Sequence, residues 1–171
     1  MDEPGTVTLQ VTYMELRGSP APAIDRCHSE CIAREQLALK DYLALYRKVG
    51  EPLRWDQRLL IPEAELRALL EGGGLHIYVL RDPQRNALGL CEFDRSEYPE
   101  IELKNFGLIP EAQGHGLGRW FLTVALLEEW SSGAKRIWLH TDTWDHPAAI
   151  HVYERAGFRV YDVRQEPPGM L

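Results

Sequence analysis

Gln113-Gly114-His115-Gly116-Leu117-Gly118 decides how this chain is read. The stretch follows an extended apolar run, residues 101–109, and a turn proline, Pro110. It precedes Arg119-Trp120-Phe121-Leu122-Thr123-Val124-Ala125-Leu126-Leu127, which reads as a buried helix. A strand, a glycine turn and a helix N-terminus together suit an anion. Free backbone N–H groups and the positive end of the helix dipole converge there. Glycine removes the Cβ that would hold an anion away from the backbone. Two phosphate loops do not fit. A Walker A loop ends Gly-Lys-Ser/Thr, whereas this turn ends Leu117-Gly118-Arg119. A dinucleotide loop is spaced G-x-G-x-x-G, whereas these glycines fall at 114, 116 and 118. A turn that only joins a strand to a helix also accounts for the glycines.

Outward from this turn, residues 6–13 alternate and are β-rich, which predicts a strand. Gly18-Ser19-Pro20-Ala21-Pro22 ends it. A helix is expected over residues 29–49, with Leu39, Tyr42, Leu43, Tyr46 and Val49 as its apolar stripe. A second helix starts near Pro62 and stops at Gly72-Gly73-Gly74. Residues 76–80 and 87–93 form a hairpin, followed by the strand 101–109. A strand over 136–141, a helix over 147–156 and a strand over 158–163 complete the chain. Asp145 or His146 is expected to cap that last helix, and Gly157 to end it. The order is an α/β (α+β) arrangement, a mixed sheet with helices packed on it.

The 171 residues suit one domain over 1–171, with no repeats and no low-complexity linker. A net charge of −7 argues against nucleic acid as a partner and favours a cationic acceptor. No apolar stretch approaches the ~20 residues of a membrane span, and no signal peptide is visible, so no membrane partner is expected. Three cysteines, Cys27, Cys31 and Cys91, cannot all pair internally, which fits a reduced, cytoplasmic setting. Cys27-His28-Ser29-Glu30-Cys31 has no second ligand pair at zinc spacing. His140, His146 and His151 fall on different elements, so no metal is expected.

Gln113-Gly114-His115-Gly116-Leu117-Gly118 matches the Q/R-x-x-G-x-G/A signature of the GNAT acyltransferase superfamily. Tyr153-Glu154-Arg155-Ala156-Gly157-Phe158 resembles that superfamily's closing motif, a helix leading into a strand. The resemblance covers about residues 87–163, and the element order agrees with the family fold. That fold is a mixed, mostly antiparallel sheet of about six or seven strands flanked by about four helices. The resemblance implies transfer of an acyl group, foremost acetyl, from acetyl-coenzyme A (acetyl-CoA) to a primary amine in a ternary complex. A small-molecule amine is the first expectation for the acceptor. A protein or peptide amine is the alternative, as is a non-catalytic acyl-CoA-binding module. A homodimer is compatible with the reading.

The same resemblance implies a set of site residues. Gln113, Gly114, His115, Gly116, Leu117 and Gly118 would bind the coenzyme pyrophosphate through their main chain. The main chain of Phe106, Gly107 and Leu108 would pair with the pantetheine arm. Tyr153 would protonate the departing thiolate. Glu102 would take the amine proton, unless a water chain does. It shares a strand face with Glu100, Lys104 and Phe106. His146 stands where the family often carries a coenzyme-contacting asparagine. Cys91 lies on the hairpin without a histidine partner, so a covalent acyl-enzyme is not expected. The acceptor would lie near Tyr46, Arg54, Trp55 and Arg58, of which Tyr46 and Trp55 are the candidate contacts.

Overall fold

Alternation along the strands places two hydrophobic clusters on opposite faces of one sheet. The computed structural model of the chain describes residues 7–23 and 28–168. Seven strands run β1 (Leu9–Leu16), β2 (Cys31–Arg34), β3 (Leu75–Arg81), β4 (Ala87–Asp94), β5 (Glu100–Leu108), β6 (Arg136–Asp142) and β7 (Arg159–Glu166). Their order across the sheet is β2-β3-β4-β5-β6-β1-β7. Every neighbouring pair is antiparallel except β5 and β6. On β3, Tyr78 and Leu80 join one cluster while Ile77 and Val79 join the other, as period two requires.

The first face is covered by α1 (Leu39–Gly50) and α3 (Glu63–Glu71). Leu39, Tyr42, Leu45, Tyr46 and Val49 of α1 pack there with Leu66 and Leu70 of α3. Leu45 is buried in α1, whereas Leu43 is only half-buried. Between these helices lie a single 3-10 turn (Glu51–Leu53) and the short α2 (Gln57–Leu60). The second face is covered by α4 (Leu117–Ser131) and α5 (Ala149–Ala156). Phe121, Leu122, Ala125 and Leu126 of α4 are fully buried, and each large side chain contributes about 1.5–3 kcal/mol. Gly157 ends α5 at φ 110, a left-handed conformation that favours glycine.

The expected helix over 29–49 is corrected at its start. Cys31–Arg34 is an edge strand paired antiparallel with β3, from Cys31↔Arg81 to Arg34↔Tyr78. Nothing local marks it, because the pairing partner lies far along the chain. Arg81 then holds the strand exit, with Nε on Glu35 Oε1 and a terminal nitrogen on Oε2, both at 2.8 Å. That pair keeps the Glu35 carboxyl below its usual range. The last helix starts at Ala149 rather than Pro147. Thr6, where the first strand was expected to begin, lies outside the described residues, as does Cys27. Among the described residues no helix is long and apolar enough to cross a membrane.

Among the described residues two carboxylates are fully buried in this apolar setting, and both are partnered. Glu129, near the end of α4, accepts from Tyr78 at 2.7 Å and contacts His76 Nδ1 and Arg95. Glu92 of β4 accepts from the Tyr42 hydroxyl at 2.6 Å and pairs with Arg58 of α2. This second cluster ties α1, α2 and the sheet together beside the cleft described next.

Candidate active site

The parallel strands β5 and β6 pair over only three positions, Glu100↔Arg136, Ile101↔Ile137 and Glu102↔Trp138. Both strands then run on, β5 to Leu108 and β6 to Asp142, without pairing to each other. β5 stays paired to β4 as far as Gly89↔Leu108. A bulge helps the strands part. Glu92 pairs with Asn105 and Phe93 with Leu103, leaving Lys104 as the extra residue, and a bulge bends and twists its strand. One edge of β5 over residues 103–108 therefore lacks a strand partner among the described residues. Six residues at ~3.3 Å each make this edge about 20 Å long.

The gap is a cleft of about 730 Å³ that runs from this edge to the glycine turn. Its lining includes Phe106, Gly107, Leu108, Gln113, Gly114, Gly116, Gly118, His146 and Tyr153. Gly114 and Gly116 adopt φ 79 and φ 77, where a side chain would be strained. Gly116 is the N-cap of α4 and no side chain caps that end. Among the described residues, a Cβ on Gly114 would meet nothing within 4 Å, and one on Gly118 only Leu108 at 3.7 Å. The start of a fifteen-residue helix thus faces the cleft with open space above its N–H groups. Gln113 Nε2 donates to the Leu108 carbonyl at 3.2 Å, fixing the turn against the end of β5.

His115 and Leu117 have side chains elsewhere. Both line a separate hollow with His28, Glu30, Leu88, Glu111 and Ala112, and Leu117 is also part of the core. Gly107 has a packing role of its own. A Cβ there would meet Val49 Cγ1 at 2.6 Å and Trp55 at 3.6 Å. Its bare backbone lets the end of α1 lie directly on β5.

Tyr153 of α5 lines the cleft while its ring packs on the core, 6.2 Å from Phe106 and 5.9 Å from Phe158 between centroids. Burial, then the nearby Asp145 and Cys91, push its phenol pKa well above the ordinary value. Its hydroxyl has no hydrogen-bond partner among the described residues, which leaves it free to donate. Burial likewise pushes up the Cys91 thiol, which does not line the cleft and is a poor nucleophile there.

Glu102 does not line the cleft. One oxygen lies 3.3 Å from Lys104 Nζ, and the other lies 3.5 Å from Nε2 of His140 on β6. His140 does line the cleft. His146 also lines it, and its Nδ1 accepts from the Ala148 N–H at 3.1 Å, so it shapes the approach to α5. Asp145, expected as a helix cap, serves the end of β6 instead. It accepts from Thr141 Oγ1 at 2.5 Å and from the Asp142 N–H at 3.1 Å.

The acceptor-side residues separate. Trp55 lines the cleft. Tyr46 lies behind it at 1% exposure, 5.6 Å from Trp55 ring to ring and 5.9 Å from Tyr42. Its hydroxyl accepts from the Arg58 N–H at 3.4 Å, and burial pushes its pKa up to about 12. Tyr46 is thus support for the wall, not surface, because the α1 stripe faces the sheet. Sequence reasoning did not single out Asp142, Arg119, Arg155 or Trp144, all of which line the cleft. Trp144 meets Arg54 across it, guanidinium to ring centroid 5.1 Å. The pairing joins two loops, so no local pattern signals it. Among the described residues no three His, Cys, Asp or Glu side chains gather as they would round a metal ion.

Comparison with known proteins agrees with this geometry. The chain is 39% identical over 57 residues to a mycothiol acetyltransferase of Streptomyces griseus, a match covering 33% of this chain and 18% of that protein. A GCN5-related N-acetyltransferase from Sphaerobacter thermophilus superposes at TM-score 0.62 and 16% identity, over 95% of this chain and 53% of that one. A putative acetyltransferase of the GNAT family from Novosphingobium aromaticivorans gives 0.64 and 20%, over 96% and 66%. An aminoglycoside acetyltransferase from an uncultured soil sample, in complex with trehalose, gives 0.62 and 16%, over 75% and 88%. The chain thus spans about half of the Sphaerobacter protein and under a fifth of the mycothiol enzyme. At such identities the superpositions show a shared fold. The sequence profile described as the Acetyltransferase (GNAT) family matches residues 38–158, and on that match the chain belongs to this family.

Proposed function

We propose that this chain transfers an acetyl group from acetyl-CoA to the primary amine of a small molecule, by direct attack in a ternary complex. The observation that carries the reading is the unpartnered edge of β5 running straight into the uncapped start of α4. An extended amide-bearing chain completes such an edge by backbone pairing, and a diphosphate suits the helix start. Acetyl-CoA carries both in that order and supplies the acetyl thioester. The residues fit it on their own terms, because among the described residues a Cβ on Gly114 would meet nothing within 4 Å and one on Gly118 only Leu108, at 3.7 Å.

Within this reading the chain's own groups divide the work. The N–H groups of the turn hold the pyrophosphate. The main chain of Phe106, Gly107 and Leu108 holds the pantetheine arm, and an N–H among them polarises the thioester carbonyl. Tyr153 gives its proton to the sulfur as the C–S bond breaks. Trp55, Asp142 and Trp144 also line the cleft, and in this reading they receive the amine. Asp142 supplies an acidic group that suits a cationic acceptor, as does the overall charge of −7. In this reading residues 1–171 work as one catalytic unit in the cytoplasm, where Cys31 and Cys91 stay free.

The test is release of free thiol from acetyl-CoA over polyamines, amino acids, aminoglycosides and basic peptides. Release that depends on a small amine is the expected result. Release only with peptides moves the acceptor class to proteins. Binding of acetyl-CoA with no release across the panel contradicts catalysis and leaves a binding module.

A further inference from the structure

The group that takes the proton from the amine has to reach the cleft, and Glu102 does not. Its carboxylate is also engaged on both sides, by Lys104 at 3.3 Å and by His140 at 3.5 Å. His140 is different. It sits on β6 two residues beyond Trp138, the last position paired to β5, so it stands where the two strands have begun to part. It lines the cleft that Tyr153 also lines. Its Nε2 faces Glu102, while its Nδ1 has no partner among the described residues. A carboxylate 3.5 Å from Nε2 favours the tautomer with its hydrogen on that nitrogen, which leaves Nδ1 as an acceptor.

We propose that His140, held by Glu102, is the catalytic base of this site, with Glu102 as a positioning residue. The proposal rests on the acetyltransferase reading above. As the amine nitrogen bonds to the acetyl carbon, the nitrogen's surplus proton passes to His140 Nδ1. As the C–S bond breaks, the sulfur takes the proton of Tyr153. Solvent then returns the proton from the imidazolium to the tyrosinate. The net change is amine plus thioester to amide plus thiol, with both side chains restored.

The surroundings of His140 suit the role. β5 brings Glu102 and Lys104, and β6 brings Asp142 and the Trp138 ring, 6.4 Å away between centroids. β1 brings Tyr13, the register partner of His140, with ring centroids 5.9 Å apart. Tyr13 in turn is covered by Arg164 of β7 and donates to Glu166 at 2.8 Å. The loop before α5 brings Asp145 beside Asp142.

The experiment combines kinetics with the state of the ring. His140→Asn is expected to lower kcat at least ~100-fold with little change in KM for acetyl-CoA. The fall of kcat/KM toward acid pH, caused by imidazole protonation, is expected to disappear with it. His140→Ala is expected to regain part of its rate with added imidazole, which a purely structural loss does not allow. Glu102→Gln is expected to lower kcat less than His140→Asn does, because it loosens the orientation of the ring without removing it. Nitrogen-detected NMR of the unliganded protein at alkaline pH is expected to show His140 protonated on Nε2. A His140→Asn variant with wild-type kcat and an unchanged acid limb overturns the proposal. So does a neutral His140 protonated on Nδ1, a result that needs no turnover. Failure of the wild type to bind acetyl-CoA instead strikes the acetyltransferase reading, and is read separately.

Discussion

Tyr153→Phe is expected to lower kcat about 10²–10³-fold while leaving the affinity for acetyl-CoA unchanged, the range in which loss of a positioned acid falls. The substitution removes one oxygen from a side chain that otherwise packs on Phe106 and Phe158, so the fold and cleft shape persist. The hydroxyl makes no hydrogen bond to the described residues, so its removal orphans no partner among them. The pH dependence follows from the direction of the shift. A phenol whose pKa is raised stays protonated above the ordinary value of ~10, so Tyr153 adds no alkaline limb through neutral pH. Steady-state kinetics with both substrates varied, together with a binding titration, checks the prediction. Equal loss of binding and turnover would make Tyr153 a structural residue. Full turnover across pH would remove it from the chemistry.

Arg58→Ala is expected to destabilise the protein by about 3–5 kcal/mol, the usual cost of stripping a buried carboxylate of its cation. Glu92 is fully buried, and its remaining hydrogen-bond partner among the described residues would be the Tyr42 hydroxyl. Burial and the charge of Glu92 push the Tyr42 pKa well up, which keeps its hydroxyl protonated and donating to Glu92. Replacing both residues, as Arg58→Met with Glu92→Leu, is expected to recover much of the loss, since neither member of the pair is then left as an uncompensated buried charge. Urea denaturation of the single and double variants checks this. A single variant within 1 kcal/mol of wild type, on the order of an exposed pair, would contradict the buried-pair account. Arg58 lies on α2, directly after the stretch that carries Trp55 to the cleft. A loosened α2 is therefore expected to raise KM for the amine more than KM for acetyl-CoA.

The glycine turn and the last helix were legible in the sequence because their signals are local. Gly114, Gly116 and Gly118 announce a turn that needs left-handed backbone and open space, and two of them adopt it. Tyr153 and Gly157 share one short helix and its cap, so their spacing is set within ten residues. The features missed depend on register and on distant contacts. The parting of β5 from β6 rests on a three-pair ladder and a bulge, neither of which leaves a pattern in β5 alone. Cys31–Arg34 is a strand only because β3 offers an edge. Tyr46 was placed with Trp55 by proximity, yet the helical stripe turns one inward and the loop turns the other out. His140 had no motif, and its neighbour Glu102 lies thirty-eight positions earlier.

The central claim is that the glycine turn and the free edge of β5 bind acetyl-CoA. Isothermal titration of the wild type and of Gly118→Val with acetyl-CoA tests it most directly. A Cβ at Gly118 has room in the fold, with Leu108 at 3.7 Å, yet stands where the diphosphate would approach. The account predicts saturable one-to-one binding by the wild type and a loss of at least ~1.4 kcal/mol, tenfold, in the variant. No binding by the wild type, or equal binding by both proteins, would contradict it.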